Sequence, residues 1–424
     1  MKIVVIGGGF AGLQLVQRLA NKSNVEVWLL DKHNYHQFQP LFYQVATAGL
    51  DASNISFPFR KALQSHNNVF FRVALVKKIE VATRQVITDN GTYNYDMLVI
   101  ATGADTNFFG NEQLQAAALP MKSTNEALQL RHKLIAHWEA ALTVKENAAA
   151  LAPYLNIVVV GGGPTGVELS GTLAEQRLGA LAKDYPELPL HQMKIYLLEG
   201  SNRLLGGMSE VSSNRAKRYL EKLGVTVLNN TLVTDFDGTT VRLQNGNAIE
   251  SKLVIWAAGI KGNIPAGIHR DVVARGNRIK VDRQHKVLGT ENIYALGDVA
   301  YMETPLYPNG HPQVANVAIS QAKNLANNIE YLIASKNDKI IDFEYEDKGS
   351  MATVGRHLAV VDVPKPKLHI GGWLAWFIWM GLHLVLILGV KNRIQVFINW
   401  VYKYFTYDQS LRLWFKDYNA KSTA

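Results

Sequence analysis

Residues 3–20 read IVVIGGGFAGLQLVQRLA, and residues 157–174 read IVVVGGGPTGVELSGTLA; ten of the eighteen aligned positions are identical. Each copy is a β-branched run, then G-x-G-x-x-G, then a helical pattern, which predicts a strand, a tight turn and a helix. The glycines are Gly7, Gly9 and Gly12 in the first copy and Gly161, Gly163 and Gly166 in the second. The first of each trio permits the turn. The second lets the backbone approach a pyrophosphate, and the third lets helix and strand pack closely. The helix N-terminus then presents N–H groups and the positive end of its dipole.

Each copy is followed by an acid at the end of the next strand pattern. Strand 25–30 runs into Asp31 and strand 195–198 into Glu199. A carboxylate there accepts hydrogen bonds from a ribose 2′-OH and repels a 2′-phosphate. The second acid lies further from its glycines because residues 179–191 read as an inserted loop. A lone glycine fingerprint is as readily a plain turn. Two copies, each bracketed by strand and acid, predict two dinucleotide sites of the Rossmann type.

The totals suit such a chain. At 424 residues, 48% hydrophobic and 19% charged, it is long enough for two or three folded domains. It has no cysteine, which excludes disulfides, thiolate metal sites and cysteine-based redox chemistry. The opening run Met1–Ile6 reads as a strand rather than a cleavable signal, so the first domain is expected to fold in the compartment that makes it. Of the net charge of +9, +6 falls after residue 364, beside Trp373, Trp376, Trp379, Trp400 and Trp414. Basic residues among tryptophans point to a membrane surface rather than to nucleic acid.

The double fingerprint resembles that of the flavoproteins with two dinucleotide-binding domains, in which the first unit holds FAD and an inserted second unit holds NAD(P)H. The stretches 98–103 (LVIATG) and 253–259 (LVIWAAG) resemble that family's strand-ending elements, with Thr102, Gly103 and Gly259 at their ends. The stretch 292–298 (NIYALGD) resembles its late FAD motif, which brings an Asp, here Asp298, toward the ribityl–pyrophosphate region; a plain turn aspartate is the other reading. Gly200-Ser201-Asn202 after Glu199 contain no arginine, which favours NADH over NADPH.

Within that superfamily the chain most resembles bacterial type II NADH dehydrogenases, the non-pumping NADH:quinone oxidoreductases, over nearly its whole length. Residues 34–46 (NYHQFQPLFYQVA), with Gln39 and Pro40, match a stretch that lies along the flavin in those enzymes. Residues 164–169 (PTGVEL) place Glu168 at the family's active-site carboxylate, although a carboxylate in the first helical turn also simply complements the dipole. The family's A-Q-x-A-x-Q-Q segment, whose first Gln reaches the quinone pocket, is here Ala315-Asn316-Val317-Ala318-Ile319-Ser320-Gln321. Asn316 keeps the amide with one methylene less, and Ser320 replaces a second amide. This departure bears on quinone reduction rather than on nucleotide binding. Asn316 and Gln321 are the candidates for the quinone side, against plain helix-surface hydrogen bonding.

The resemblance implies hydride transfer from NADH to FAD, then two electrons and two protons to a membrane quinone, ubiquinone or menaquinone. Glu168 would orient the nicotinamide or relay a proton. His33 and His36 lack the further ligands a metal site needs, so no metal is expected. His36 reads as packed or flavin-side, and Trp138 in helix 128–144 as core. Sulfide:quinone and disulfide reductases need cysteines that this chain lacks.

Residues 370–390 carry no formal charge, and roughly 20 apolar residues can span a bilayer. Beyond them Ile394, Phe397, Ile398, Val401 and Phe405 share a helical face opposite Asn392, Gln395, Asn399 and Lys403. A second stripe, Tyr407, Leu411, Trp414, Phe415 and Tyr418, opposes Arg412 and Lys416. Together with 372–400, residues 404–407 (YFTY) resemble the family's membrane-binding region.

The expected fold is α/β, with two Rossmann-like dinucleotide-binding domains and a C-terminal membrane-associating helical region. FAD would occupy residues 1–115 and 271–340, NADH the inserted residues 116–270, and the membrane residues 341–424. The expected location is the cytoplasmic side of a bacterial inner membrane, monotopic and peripheral or with one C-terminal span, with a homodimer as a further expectation. A soluble reductase with a protein acceptor, or a low-turnover flavin- and NADH-binding sensor, are the alternatives.

Overall fold

The computed structural model describes residues 1–406 and 408–415. They fall into two compact units, each assembled from three stretches of chain. One comprises Met1–Gln37, Ser56–Asp105 and Ile260–Asp347, and the other Phe38–Ile55, Thr106–Gly259 and the described residues from Lys348 onward.

The first unit is built on a parallel sheet of five strands in the spatial order Ile293–Ala295, Met97–Ile100, Lys2–Ile6, Glu26–Asp31, Val69–Val73. Its central strand is buried on both faces, as the unbroken run Ile3-Val4-Val5-Ile6 predicts for a parallel sheet covered by helices. Helix Phe10–Leu19 leaves the central strand and packs on helix Ala315–Ile333. Val4, Ile6, Leu98, Ile100, Ile279 and Ile293 form the core beneath the sheet.

The second unit repeats the plan. Its parallel sheet runs Leu119–Pro120, Leu253–Trp256, Asn156–Val160, Lys194–Leu198, Val225–Leu228. The likeness extends well past the eighteen matched residues. In each unit an antiparallel three-stranded meander precedes the strand that pairs with the central one. In the first unit it is Val76–Glu80, Gln85–Thr88 and Thr92–Asn94, and in the second Val233–Phe236, Thr240–Leu243 and Ala248–Glu250. The expected insertion at 179–191 contains the short helix Ala180–Asp184.

The C-terminal stretch is not wholly helical. It starts with an antiparallel sheet of Ser350–Val354, Leu358–Val363 and Leu368–Gly372, which packs on helix Pro164–Leu178. Gly171 permits the approach: a Cβ there would lie 2.7 Å from the Gly355 amide nitrogen.

The apolar run 370–390 is therefore not one span. Its first residues finish a strand, the chain turns at Gly372 (φ 78°), the helix that follows is only Trp373–Leu386, and Val390 already begins the next one. Fourteen residues reach about 21 Å, short of a bilayer core of about 30 Å. No helix among the described residues is long and apolar enough to cross a membrane. The second aromatic stripe is likewise not seen as a helix: Leu411–Phe415 are irregular, and Tyr407, Lys416 and Tyr418 lie outside the described residues.

Helices Trp373–Leu386 and Val390–Thr406 each leave a broad apolar face exposed. The first buries Ala375, Trp379 and His383 and exposes Trp373, Leu374, Phe377, Ile378, Leu382 and Val385. The second buries Asn392, Val396 and Trp400 while Ile394, Phe397, Ile398, Val401 and Phe405 point outward. The apolar stripe read from the sequence is thus the exposed one. The polar face is satisfied internally: the Asn392 amide donates to the Ser53 carbonyl at 3.1 Å. Arg393 donates to the carbonyls of Ile387 and Val385, both at 2.8 Å, and so closes the C-terminal end of the preceding helix.

Candidate active site

The two glycine turns are copies down to their hydrogen bonds. Gly7 (φ 96°) and Gly161 (φ 110°) take a backbone conformation that disfavours any L side chain. A Cβ on Gly12 would lie 1.8 Å from the Gly7 carbonyl oxygen, and one on Gly166 1.9 Å from that of Gly161. These four glycines are demanded by the chain itself.

Gly9 and Gly163 are not. Their backbones are ordinary and extended (φ −66°, ψ −164°; φ −70°, ψ −179°), and a Cβ on either would meet nothing within 4 Å. A Cβ fits at either as far as the protein is concerned. Both sit at the N-terminus of a helix that no side chain caps, Phe10–Leu19 and Pro164–Leu178. The open cradle and uncapped terminus are what a pyrophosphate requires.

The acids match as well. Asp31 Oδ2 accepts the Gly8 N–H at 2.6 Å, and Oδ1 accepts the His33 N–H at 2.7 Å. Glu199 Oε2 accepts the Gly162 N–H at 2.6 Å, and Oε1 accepts the Ser201 N–H at 2.7 Å. Each carboxylate is pinned over its glycine turn with lone pairs to spare for a ribose. Burial pushes the Asp31 carboxyl up, against the two N–H bonds that favour its charge. The Arg203 guanidinium donates to the Gly206 carbonyl at 2.8 Å. A cavity of about 210 Å³, lined by Asn230, Thr231, Leu232 and Gln244, adjoins Glu199, whose carbonyl accepts the Thr231 N–H at 2.9 Å.

The remaining candidates divide between the units. In the first, Thr102 donates to the Asn263 carbonyl, and Gly103 takes φ 70° with open space beside it. Asp298 lies in the turn Gly297–Val299; its carbonyl accepts from Gln313 at 2.8 Å, and Arg278 is its neighbouring cation. Gln321 is fully buried, and its Oε1 accepts the Gly297 N–H at 2.7 Å. That bond ties the helix to the turn carrying Asp298. Asn316 is half-buried in the first turn of the same helix. His36 is packed, donating from Nδ1 to the Gly8 carbonyl at 2.9 Å with its ring against Phe10, and burial holds it neutral.

In the second unit Gln39 Oε1 accepts from Lys122 Nζ at 3.2 Å, with Pro40 beside it in a single turn of 3₁₀ helix. Gly259 (φ 79°) lies under the ring of Phe109. Trp138 is core. Glu168 is the fifth residue of its helix, past the first turn, and is 7% exposed. Burial raises its carboxyl to about 8, and Thr353 opposes the rise with hydrogen bonds from its N–H, 3.3 Å from Oε1, and its hydroxyl. At neutral pH Glu168 is a protonated acid, the state a proton donor needs.

Four residues are linked to Glu168 that the sequence did not pair with it, and one of them, Trp400, expected at the membrane surface, is buried. Tyr43 Oη is 3.0 Å from Thr353 Oγ1, Gln44 Nε2 donates to Tyr43 Oη at 2.9 Å, and Trp400 Nε1 donates to Gln44 Oε1 at 2.7 Å. Tyr43 and Gln44 lie inside the 34–46 motif. Nothing in the sequence marks Thr353 or Trp400 as their partners.

These features define a class. Residues 1–322 match the family model of the pyridine nucleotide-disulphide oxidoreductases, and residues 348–407 that of the NDH2 C-terminal domain. A type II NADH:quinone oxidoreductase of Mycobacterium tuberculosis is 34% identical over 416 residues, covering 94% of this chain and 87% of its own. One from Haemophilus influenzae is 27% identical, covering 90% and 92%. The fold is that of NDH2 from Plasmodium falciparum, solved in complex with NADH, with a TM-score of 0.87 at 23% identity over 98% of this chain and 99% of that one. The chain belongs to the type II NADH:quinone oxidoreductase family.

Proposed function

We propose that this chain is an FAD-dependent enzyme that oxidises NADH and delivers two electrons to a membrane quinone without pumping protons. The observation that carries the reading is the pair Gly9 and Gly163, two glycines the fold does not need, each at an uncapped helix N-terminus under a pinned acid. Bound FAD supplies the hydride acceptor and electron carrier that no side chain of a cysteine-free chain provides.

The first turn, Gly7, Gly9 and Gly12, takes the FAD pyrophosphate and Asp31 its ribose. Thr102, Gly103 and Asp298 line the flavin side in the first unit, and the family resemblance assigns Gln39 and Pro40 to FAD as well. Gly161, Gly163 and Gly166 take NADH, with Glu199 on the adenosine ribose and Gly259 toward the nicotinamide. Glu168 holds and releases a proton beside the reacting groups. Asn316 faces the quinone, and Gln321 steadies the Asp298 turn. FAD thus belongs to residues 1–115 and 271–340, and NADH to 116–270. Replacing Glu199 with Gln should raise the KM for NADH about tenfold, the worth of one charge-assisted hydrogen bond, and leave NADPH turnover unchanged or better. Steady-state assays with both nucleotides check this.

Residues 341–424 hold the protein on the membrane as a monotopic attachment, at the cytoplasmic face of a bacterial inner membrane, and a homodimer is compatible with that placement. What supports this is the outward apolar face of helices Trp373–Leu386 and Val390–Thr406, beside Lys391 and Arg393. It also disfavours a soluble reductase. Ile394→Asp with Phe405→Asp should shift the protein from liposome-bound to free in a flotation assay, with flavin content unchanged. Retention on liposomes would refute the assignment of this face. Turnover with short-chain ubiquinone and menaquinone analogues tests the whole reading: NADH oxidation should run well above the rate with oxygen alone. A rate no higher than with oxygen would favour a nucleotide-binding sensor.

A further inference from the structure

We propose that Trp400 and Gln44 are positioning residues for Glu168. The indole N–H on the C-terminal helix sets the direction of a buried hydrogen-bond chain, Trp400 to Gln44 to Tyr43 to Thr353, that ends on the carboxylate. The inference rests on the reading of Glu168 as the titrating group of the reaction.

The direction follows from which groups can donate. An indole N–H donates and never accepts, so Gln44 must turn its carbonyl oxygen to Trp400 and its NH₂ to Tyr43. Tyr43, receiving that proton, sends its own to Thr353, and the Thr353 hydroxyl is left to donate to Glu168. All five side chains are buried, so no water competes for these bonds, and each polarises the next. Burial and the charge of Glu168 push the Tyr43 phenol far up, which keeps it a donor.

Little else acts on Glu168. From helix Phe42–Ala46 the titratable group facing it is Tyr43, and strand Ser350–Val354 contributes only the Thr353 hydroxyl. On its own helix Glu175 lies two turns on, beside Tyr43, the Arg356 backbone and Lys403. The nearby helices Ala180–Asp184 and Glu210–Lys222 direct Asp184 to Arg412 and Arg215 to the His369 carbonyl, and strand Lys194–Leu198 brings Lys194 and Tyr196. None of these charges shifts Glu168, whose proton affinity is set by burial against the two Thr353 bonds.

Trp400→Phe removes the fixed donor. Gln44 can then rotate and offer its oxygen to Tyr43, which reverses the chain and withdraws the Thr353 hydroxyl from Glu168. Thr353→Val removes the same last bond from the other end. Losing one hydrogen bond to a carboxylate corresponds to about one pH unit. The test is the pH dependence of turnover with a soluble quinone analogue, measured on flavin-loaded protein for the parent, Trp400→Phe, Thr353→Val and the double variant, with Glu168→Gln as reference. Both single variants should move the profile to higher pH by about one unit, and the double should move it no further. Unmoved profiles in the single variants, with the break abolished in Glu168→Gln, would overturn the inference and leave the role of Glu168 intact. A break that persists in Glu168→Gln would overturn both. If Trp400→Phe fails to fold, Thr353→Val and Gln44→Met still decide the matter, because each interrupts the chain with little change in volume.

Discussion

Gly9→Val should give a folded protein without flavin, and Gly163→Val a yellow one that NADH no longer bleaches. Both backbones are extended and a Cβ at either meets nothing within 4 Å, so a side chain can start at both without collision. What valine fills is the space a pyrophosphate needs. Denying it even two backbone hydrogen bonds to charged oxygens costs roughly 3–6 kcal/mol, or about 10²–10⁴-fold in affinity. For Gly9→Val the flavin should be lost on purification and all turnover with it. For Gly163→Val the flavin should remain reducible by dithionite while reduction by NADH slows by that factor. The contrast with Gly12 and Gly166 is part of the prediction. A Cβ at either collides with a carbonyl oxygen, so Gly12→Ala and Gly166→Ala should lower Tm or prevent folding. Flavin absorbance, circular dichroism and anaerobic rapid mixing separate the outcomes.

Glu168→Gln should cost about 10²–10⁴-fold in turnover with quinone, the usual worth of a positioned acid, while FAD and NADH stay bound. It should also make the protein more stable in alkali. The Glu168 carboxyl is raised from 4.5 to about 8, so its contribution to stability is complete below pH 4.5 and is lost as pH rises through 8. Above that the parent buries a charge and the glutamine variant does not. The variant's margin in Tm over the parent should therefore grow as pH rises from 4.5 toward 8 and level off above 8, in line with a few kcal/mol. Equal Tm values at pH 9 would show that Glu168 is already an ordinary, easily ionised carboxyl.

How much of this could be read from the sequence differs by feature. The glycine turns were legible because each is set by residues a few positions apart, and their acids, 23 and 37 residues from the glycines they bond, because each ends the next strand pattern. The extension of the repeat through a meander and a further strand was not, because short exposed strands such as Thr92–Asn94 tolerate almost any residue. The run 370–390 misleads because hydropathy has no direction. Gly371 and Gly372 are as apolar as a membrane helix allows, yet Gly371 pairs with Val360 in a sheet and the chain turns at Gly372. The apolar stripe read on Val390–Thr406 does share one exposed face, because helical periodicity is local.

The polar surroundings of Glu168 lay beyond reach for a different reason. Tyr43, Gln44, Thr353 and Trp400 come from three distant segments, and each is an unremarkable residue in its own stretch. Their partnership exists only after the sheet Ser350–Gly372 has packed on helix Pro164–Leu178. Gln321 shows the converse. Its amide was visible as a candidate, but its bond to Gly297 depends on tertiary packing.

The measurement closest to the central claim is anaerobic mixing of the purified protein with NADH, followed by a quinone analogue. The protein should be yellow, NADH should bleach it within the time of a turnover, and the quinone should restore the colour with one NADH consumed per quinone reduced. A colourless protein that cannot be reconstituted with FAD, or a bound flavin that NADH fails to reduce, would contradict the account.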